Sequence, residues 1–282
     1  MHAFLIIAHN EPLILQKLVS ALDDVRNDIY IHWDKKSGEH PCLHTNYSNV
    51  FWTSKRIDVR WGNVSQIKSE YVLFEEAYNH KNYDYFHLIS GTHIPLKNQN
   101  DIHLFFELNN RYQILSAMDS SDFQIDLKLK RYNLFTRELH RGSKFRQLIF
   151  QRLWHLCICA QRYLKISRHK NISYKQASNW VSLTRDCVEF LLSEKNNILK
   201  HYKYTFCGDE FFVPTSLEHS AYKKNILYSD KILKCEMGKA NPRIYEIRDY
   251  NDIMNSNCLF ARKFSEKHID VVDKIISNYI SE

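Results

Sequence analysis

The chain has 282 residues, 44% hydrophobic and 25% charged, which is enough for one large core or two small ones, and its 6 glycines and 5 prolines exclude a Pro/Gly-rich interdomain linker. The formal charge of +7 suits an anionic partner without choosing among nucleotide, phospholipid headgroup and nucleic acid. Seven scattered cysteines with no C-x-x-C pair exclude a disulfide framework and a zinc knuckle, and no apolar run approaches the ~18 residues of a membrane-spanning helix, so the expectation is a cytoplasmic protein, soluble or peripheral on a membrane.

Residues Ala3–Ala8 form a continuous apolar run that reads as a buried parallel strand. His9-Asn10-Glu11-Pro12 breaks it, and Pro12 suits the first turn of a helix whose apolar face is Leu13, Leu15, Leu18, Val19 and Leu22. Asp28–Trp33 is the second strand, ending at Asp34. This β-α-β unit predicts an α/β layered fold. Ligands of open parallel sheets bind at the carboxyl ends of the strands, where His9, Asn10 and Asp34 stand. Neither G-x-G-x-x-G nor a P-loop sequence occurs, so neither of those phosphate sites is supported.

Val50–Thr53 reads as a third strand, and Val59–Ser65 leads into a helix carrying Ile67, Tyr71, Val72, Phe74 and Ala77. Tyr85–Ser90 is another buried strand, ending in Gly91-Thr92-His93-Ile94-Pro95, where an α/β transferase places substrate-facing groups. A helix over Asp101–Glu107 and a strand over Tyr112–Ala117 follow. The segment 141–170 interleaves Arg and Lys with Phe, Leu, Trp and Tyr and holds no acidic residue. It reads either as a basic amphipathic helix for an anionic membrane surface or as an ordinary helix with a solvated basic face. Ala177–Leu183 is strand-like, a helix follows from Thr184 to Leu192, and the chain closes with a helix over Glu266–Ile280.

Between these last helices lies the stretch 205–212, with Asp209-Glu210 set between Gly208 and the paired rings of Phe211 and Phe212. A carboxylate desolvated by apolar neighbours gains basicity, as a general base for a sugar hydroxyl requires. The plainer reading is an Asp209 N-cap before a buried aromatic pair.

Several stretches in order resemble one family: AHNEP and IHWDKKS, then VRWGNVSQIKSEYVLFEEA, YFHLISGTHIPLK, ASNWVSLTRDCVEFLL, CGDEFF and LFARKF. Together they are similar to the core 2 / I-branching β-1,6-N-acetylglucosaminyltransferases, a family that includes the peptide O-xylosyltransferases. The short chain looks like a bacterial member, acting in assembly of surface polysaccharide or lipooligosaccharide. The resemblance implies a GT-A-type fold, one Rossmann-like domain over 1–282. About 1–118 would be its nucleotide-sugar half and about 119–282 its acceptor and catalytic half. It further implies an inverting transfer from a UDP-sugar, with N-acetylglucosamine as the expected sugar, to a glycan or glycolipid hydroxyl.

No cofactor and no divalent metal are expected, and the chain contains no Asp-x-Asp. Fixed cations would then stabilise the departing diphosphate. The resemblance assigns that role to Lys263 and most naturally to Arg243, with Arg262 and Arg248 behind it. It makes Glu210 the base, with Asp209 as helix cap and acceptor-side neighbour. It puts Asp34 near uracil or ribose, beside His9 and Arg60. Gly91, His93, Ser178 and Trp180 fall on the substrate side. His93 stands where the family turn carries Asp, Gly208 where it carries Pro, and Ala177 where it carries Gly. The runner-up is a non-catalytic protein on this fold that binds glycans or anionic membranes. Nucleic acid is not an expected partner, since no recognised module is present.

Overall fold

The structure, a computed structural model, describes residues 1–238 and 241–280. Its first unit is β1 (His2–Ala8), α1 (Pro12–Ala21) and β2 (Asn27–Trp33), followed by the short β3 (Asn49–Trp52). Helix α2 (Ser65–His80) leads to β4 (Tyr85–Ser90) and the two-residue β5 (Ile94–Pro95). Then come α3 (Gln99–Leu108), β6 (Gln113–Leu115), α4 (Asp122–Leu129) and the long α5 (Lys144–Tyr163). Strand β7 (Ser182–Thr184) precedes three helices, α6 (Arg185–Ser193), α7 (Lys195–Tyr202) and α8 (Asp209–Glu218). The chain ends with β8 (Ile226–Tyr228), β9 (Leu233–Cys235), α9 (Tyr250–Asn255), β10 (Phe260–Arg262) and α10 (Ile269–Ile280).

Seven strands form one sheet in the order β3-β2-β1-β4-β7-β6-β8. All pairings are parallel except those of β7, which runs antiparallel to both neighbours. A second sheet, β5-β10-β9, joins the turn after β4 to the C-terminal region. The apolar run of β1 is buried on both faces, as a central parallel strand requires. Ala3 and Leu5 face Ile67, Tyr71 and Phe74 of α2, while Phe4 and Ile6 face the layer containing Leu15 and Leu18 of α1. Each such fully buried Leu, Ile or Phe contributes about 1.5–3 kcal/mol relative to exposure.

Three local expectations change. Leu13 is 56% exposed and Ile14 takes its place in the core, because the Leu13 N–H is held at the surface by Glu266 Oε1, 2.9 Å away. Helix α6 starts at Arg185, not at Thr184, and the Thr184 side chain makes no capping bond to it. The Thr184 hydroxyl instead accepts from Gln113 Nε2 at 2.8 Å, pinning β7 to β6. The last helix starts at Ile269, after a separate single turn at Glu266–His268.

One face of β1 and β4 carries a knot of histidines. His2 Nδ1 lies 3.1 Å from His87 Nε2, and His87 Nδ1 lies 2.8 Å from Ser182 Oγ. The rings of His103 and Phe106 close over them. Burial, and then the neighbouring histidines, hold His2 and His87 well below the ordinary imidazole pKa.

Candidate active site

The carboxyl ends of β1, β2 and β4 lie side by side: Asp34 N–H donates to Ala8 O, and Gly91 N–H to Ile7 O, both at 2.9 Å. Gly91 itself is buried and is a glycine for packing, since a Cβ there would sit 2.8 Å from that of Ala8. His9 enters the loop before α1, whose next residue but one, Glu11, adopts left-handed angles (φ 57°). That backbone is fixed by its own carboxylate, which accepts from Ser265 Oγ at 3.0 Å and from Glu266 N–H at 2.7 Å. The clamp carries the 263–266 strand end to the β1 end. Desolvation lowers the His9 pKa; Asp34 opposes this, while Lys263 and Lys36 add to it.

Asp34 is almost wholly buried. Its Oδ1 accepts from Lys36 N–H at 2.9 Å and its Oδ2 pairs with Lys36 Nζ at 3.3 Å. Arg60 pairs with Asp58 at 2.9 Å, and Asp58 lies 3.9 Å from the same Lys36 ammonium. Asp34 and Arg60, expected from the sequence on the nucleoside side, are thus joined through Lys36 and Asp58, and His9 feels the charges of Asp34, Lys36 and Lys263.

The next group is built on the turn after β4. His93 is buried, and its Nδ1 accepts from the Ser90 N–H at 3.0 Å, which leaves the proton on Nε2. Burial, with the Arg262 charge second, pushes its pKa well down. Trp180 stands edge-on to His93 at 5.0 Å between ring centres, and the Arg262 guanidinium lies 4.7 Å from the Trp180 ring. Ser178 uses its hydroxyl locally, accepting from Trp180 N–H at 3.3 Å.

The Lys263 N–H donates to the Arg243 carbonyl at 3.4 Å, but the Arg243 guanidinium turns aside. It binds Asp249 at 2.9 and 3.0 Å and Glu236 at 3.0 and 3.2 Å. No carboxylate among the described residues lies within ion-pair distance of Arg262 or Lys263. Sequence reasoning preferred Arg243 because it could not see these two acids folding onto it.

Glu210 is the second residue of α8. Its side chain is 28% exposed, and only Oε2 is held: Gln176 Nε2 donates to it at 2.6 Å, and Lys128 Nζ lies 3.5 Å away. Oε1 has no partner among the described residues. Gln176 is itself fixed, since its Oε1 accepts from Ser120 Oγ. Pro214 explains why this segment is here. A proline has no N–H for the carbonyl four residues back, so the Glu210 C=O is released from the helix. That carbonyl accepts from Ala177 N–H at 3.0 Å, drawing 176–180 against α8. Neither Gln176 nor Lys128 was singled out in the sequence; Pro214 inside an apolar stretch was the available signal.

Asp209 is not a cap. Gly208 occupies the cap position with helical angles, and Asp209 is the first helical residue with no capping bond. Gly208 is required by space, because a Cβ would come 2.7 Å from Tyr202 Cδ1. The Asp209 carboxyl is buried, accepts from Gln66 Nε2 at 2.9 Å, and faces the fully buried Glu70. Phe211 and Phe212 point into the core, so burial falls on Asp209, whose pKa is pushed up to about 7, with the Glu210 charge adding to it. The folded chain therefore keeps this proton up to about pH 7, whereas the unfolded chain loses it near 3.8. Stability falls as pH rises through that window. Asp209→Asn is expected to exceed the parent by about 4 kcal/mol at pH 8, with no difference below pH 4. Urea unfolding at the two pH values measures this; equal stabilities at pH 8 would refute it.

Among the described residues, no group of three or more His, Cys, Asp or Glu is arranged to hold a metal ion. No described helix is long and apolar enough to cross a membrane.

A mostly parallel sheet flanked by helices, with its charged residues gathered at the strand carboxyl ends, is the α/β arrangement of a GT-A-type glycosyltransferase. The model of the Core-2/I-Branching enzyme family matches residues 2–253, and the chain belongs to that family. It is accordingly a glycosyltransferase. The apo crystal structure of mouse xyloside xylosyltransferase 1 aligns with 93% of this chain and 97% of its own, at 9% identity and a TM-score of 0.40. No curated protein matches.

Proposed function

We propose that this glycosyltransferase moves a sugar with inversion from a UDP-sugar to a hydroxyl of a glycan or glycolipid acceptor, without a divalent metal. Glu210 is the general base. The observation that carries this reading is the asymmetry of its carboxylate: Oε2 is gripped by Gln176 and Lys128 while Oε1 is uncommitted. A base needs one anchored oxygen for orientation and one open oxygen for the proton. The acceptor oxygen, losing its proton to Oε1, attacks the anomeric carbon, and the bond from that carbon to the diphosphate breaks.

Lys263 and Arg262 are the cations proposed to meet the leaving UDP, since neither has an acidic partner among the described residues to give up. Arg243 can join them only by exchanging Glu236 and Asp249 for phosphate. His9, Asp34 and Arg60 are proposed for the nucleoside side, and His93, Ser178 and Trp180 for the sugar and acceptor side. Asp209 is not proposed as a contact, because its carboxyl is held by Gln66, nor is Gly91, whose place is set by its close approach to Ala8. N-acetylglucosamine, β-linked in the product, is the transferred sugar that the family suggests. His93 in place of an acidic residue supports a different set of hydroxyl contacts at that point. The family setting supports a role in surface-glycan assembly.

UDP release from a panel of UDP-sugars, measured in the presence of a chelator, tests the proposal. Turnover should persist in chelator, and Lys263→Ala should lower it roughly 10²–10³-fold. Arg262→Ala should cost more than Arg243→Ala. Complete loss in chelator, or an unaffected Lys263→Ala enzyme, would overturn the assignment.

A further inference from the structure

Helix α5 is the one long helix that the catalytic reading leaves unused. Its inner side is tied down at a few points: Trp154 Nε1 donates to Asn133 Oδ1 at 2.9 Å, Ile158 is buried, and the Gln161 amide bonds both backbone groups of Tyr132. Its outer side is different. Phe145, Ile149, Arg152 and Leu156 follow one another at spacings of four, three and four, hence on one face. Phe145 is 74% and Leu156 63% exposed, and Leu148 and Leu153 widen the same apolar stripe. A helix burying so little and exposing so many large apolar side chains has an unpartnered face.

The charge around this face selects its occupant. Between Glu138 and Asp186 there are ten Lys and Arg and no acidic residue. Arg141 and Arg146 share Glu138, and Arg168 is buried. Lys144, Arg152, Arg162 and Lys165 stay exposed along or just beyond the helix. An apolar stripe flanked by cations over a helix about 30 Å long matches a surface with a hydrocarbon interior and anionic headgroups. We infer that α5 lies in the plane of an anionic lipid surface, with Phe145, Ile149 and Leu156 in the acyl boundary and the flanking cations among the headgroups. The docked helix would carry the active site with it, because the Trp154 ring packs 5.7 Å from that of Phe206, four residues before Glu210. The docking itself does not rest on the role proposed for Glu210.

Sedimentation of the full chain with phosphatidylcholine vesicles, with and without phosphatidylglycerol, tests this at low and high salt. Binding is expected only with the anionic lipid, falling as salt rises. The Phe145→Glu/Leu156→Glu double variant should lose at least about tenfold in partitioning while keeping its melting temperature and its turnover of a soluble acceptor. Equal binding to neutral vesicles or no binding at all would overturn the inference. So would concentration-dependent dimerisation that the double variant abolishes, which would assign the face to a second copy of the chain.

Discussion

Glu210→Gln is expected to give a folded protein that binds donor normally and turns over roughly 10²–10⁴-fold more slowly. The replacement is nearly isosteric. Its carbonyl oxygen can still accept from Gln176, and Lys128 is exposed enough to remain hydrated when its partner is neutral. The melting temperature should move little and the donor affinity should hold, so the loss should appear in kcat. Gln176→Ala provides the graded comparison. It leaves the carboxylate in place but held at Oε2 by Lys128 alone, so roughly a tenfold fall in kcat is expected, with little change in the donor KM. Full activity in Glu210→Gln would remove this residue from the reaction. Equal effects of both variants on melting temperature and kcat would reduce the site to a structural role.

The second large effect is acid lability. His2, His32, His87 and His93 are buried, and burial holds each below the ordinary imidazole pKa, His32 at about 4. His32 shows the cause plainly, since its Nε2 accepts the Ile57 N–H at 2.8 Å and so carries no proton. Below pH 6.5 the unfolded chain takes up protons that the folded chain refuses, so stability falls as pH drops from 6.5 towards the folded values. Each histidine contributes up to about 1.4 kcal/mol per pH unit, about 5 for the four. Asp209 and Glu70 act in the opposite sense over the same window and offset about half of this. His103 and His201, lowered to about 4 chiefly by burial, add to the histidine side, so stability should fall between pH 6.5 and pH 5 by several kcal/mol, a large part of a typical ~5–15. The melting temperature should therefore fall by roughly 10 °C over that interval. A flat profile would show that the buried histidines are already charged in the folded state.

The half of the fold carrying β1, β2 and β4 was legible in the sequence because buried parallel strands are continuous apolar runs, and Ala3–Ala8 and Tyr85–Ser90 have no other economical reading. The other half was harder. Strands β6 to β10 are three residues each, too short for periodicity, and β7 is placed by Gln113 rather than by its own pattern. The chemistry divided in the same way. The proposals for Glu210 and Lys263 rest on local motifs, CGDEFF and LFARKF. The neutralisation of Arg243 has no such motif, because Glu236 and Asp249 reach it only through the folded C-terminal loops. The division of labour between Asp209 and Glu210 was misread for a similar reason. Which of two adjacent carboxyls is buried depends on the phase of α8, and the left-handed residue Cys207 (φ 52°) sets that phase. His93, Trp180 and Arg262, from three distant segments, form a stack that no spacing rule anticipates.

Pro214 has a practical consequence for anyone redesigning this enzyme. Helix α8 and the 176–180 segment share a backbone bond that exists only because the helix is interrupted, so the segment cannot be exchanged as an independent cassette. A graft of that segment would drag the Glu210 carboxylate with it. Restoring a regular helix at position 214 would cut the loop loose and leave Glu210 without its anchor.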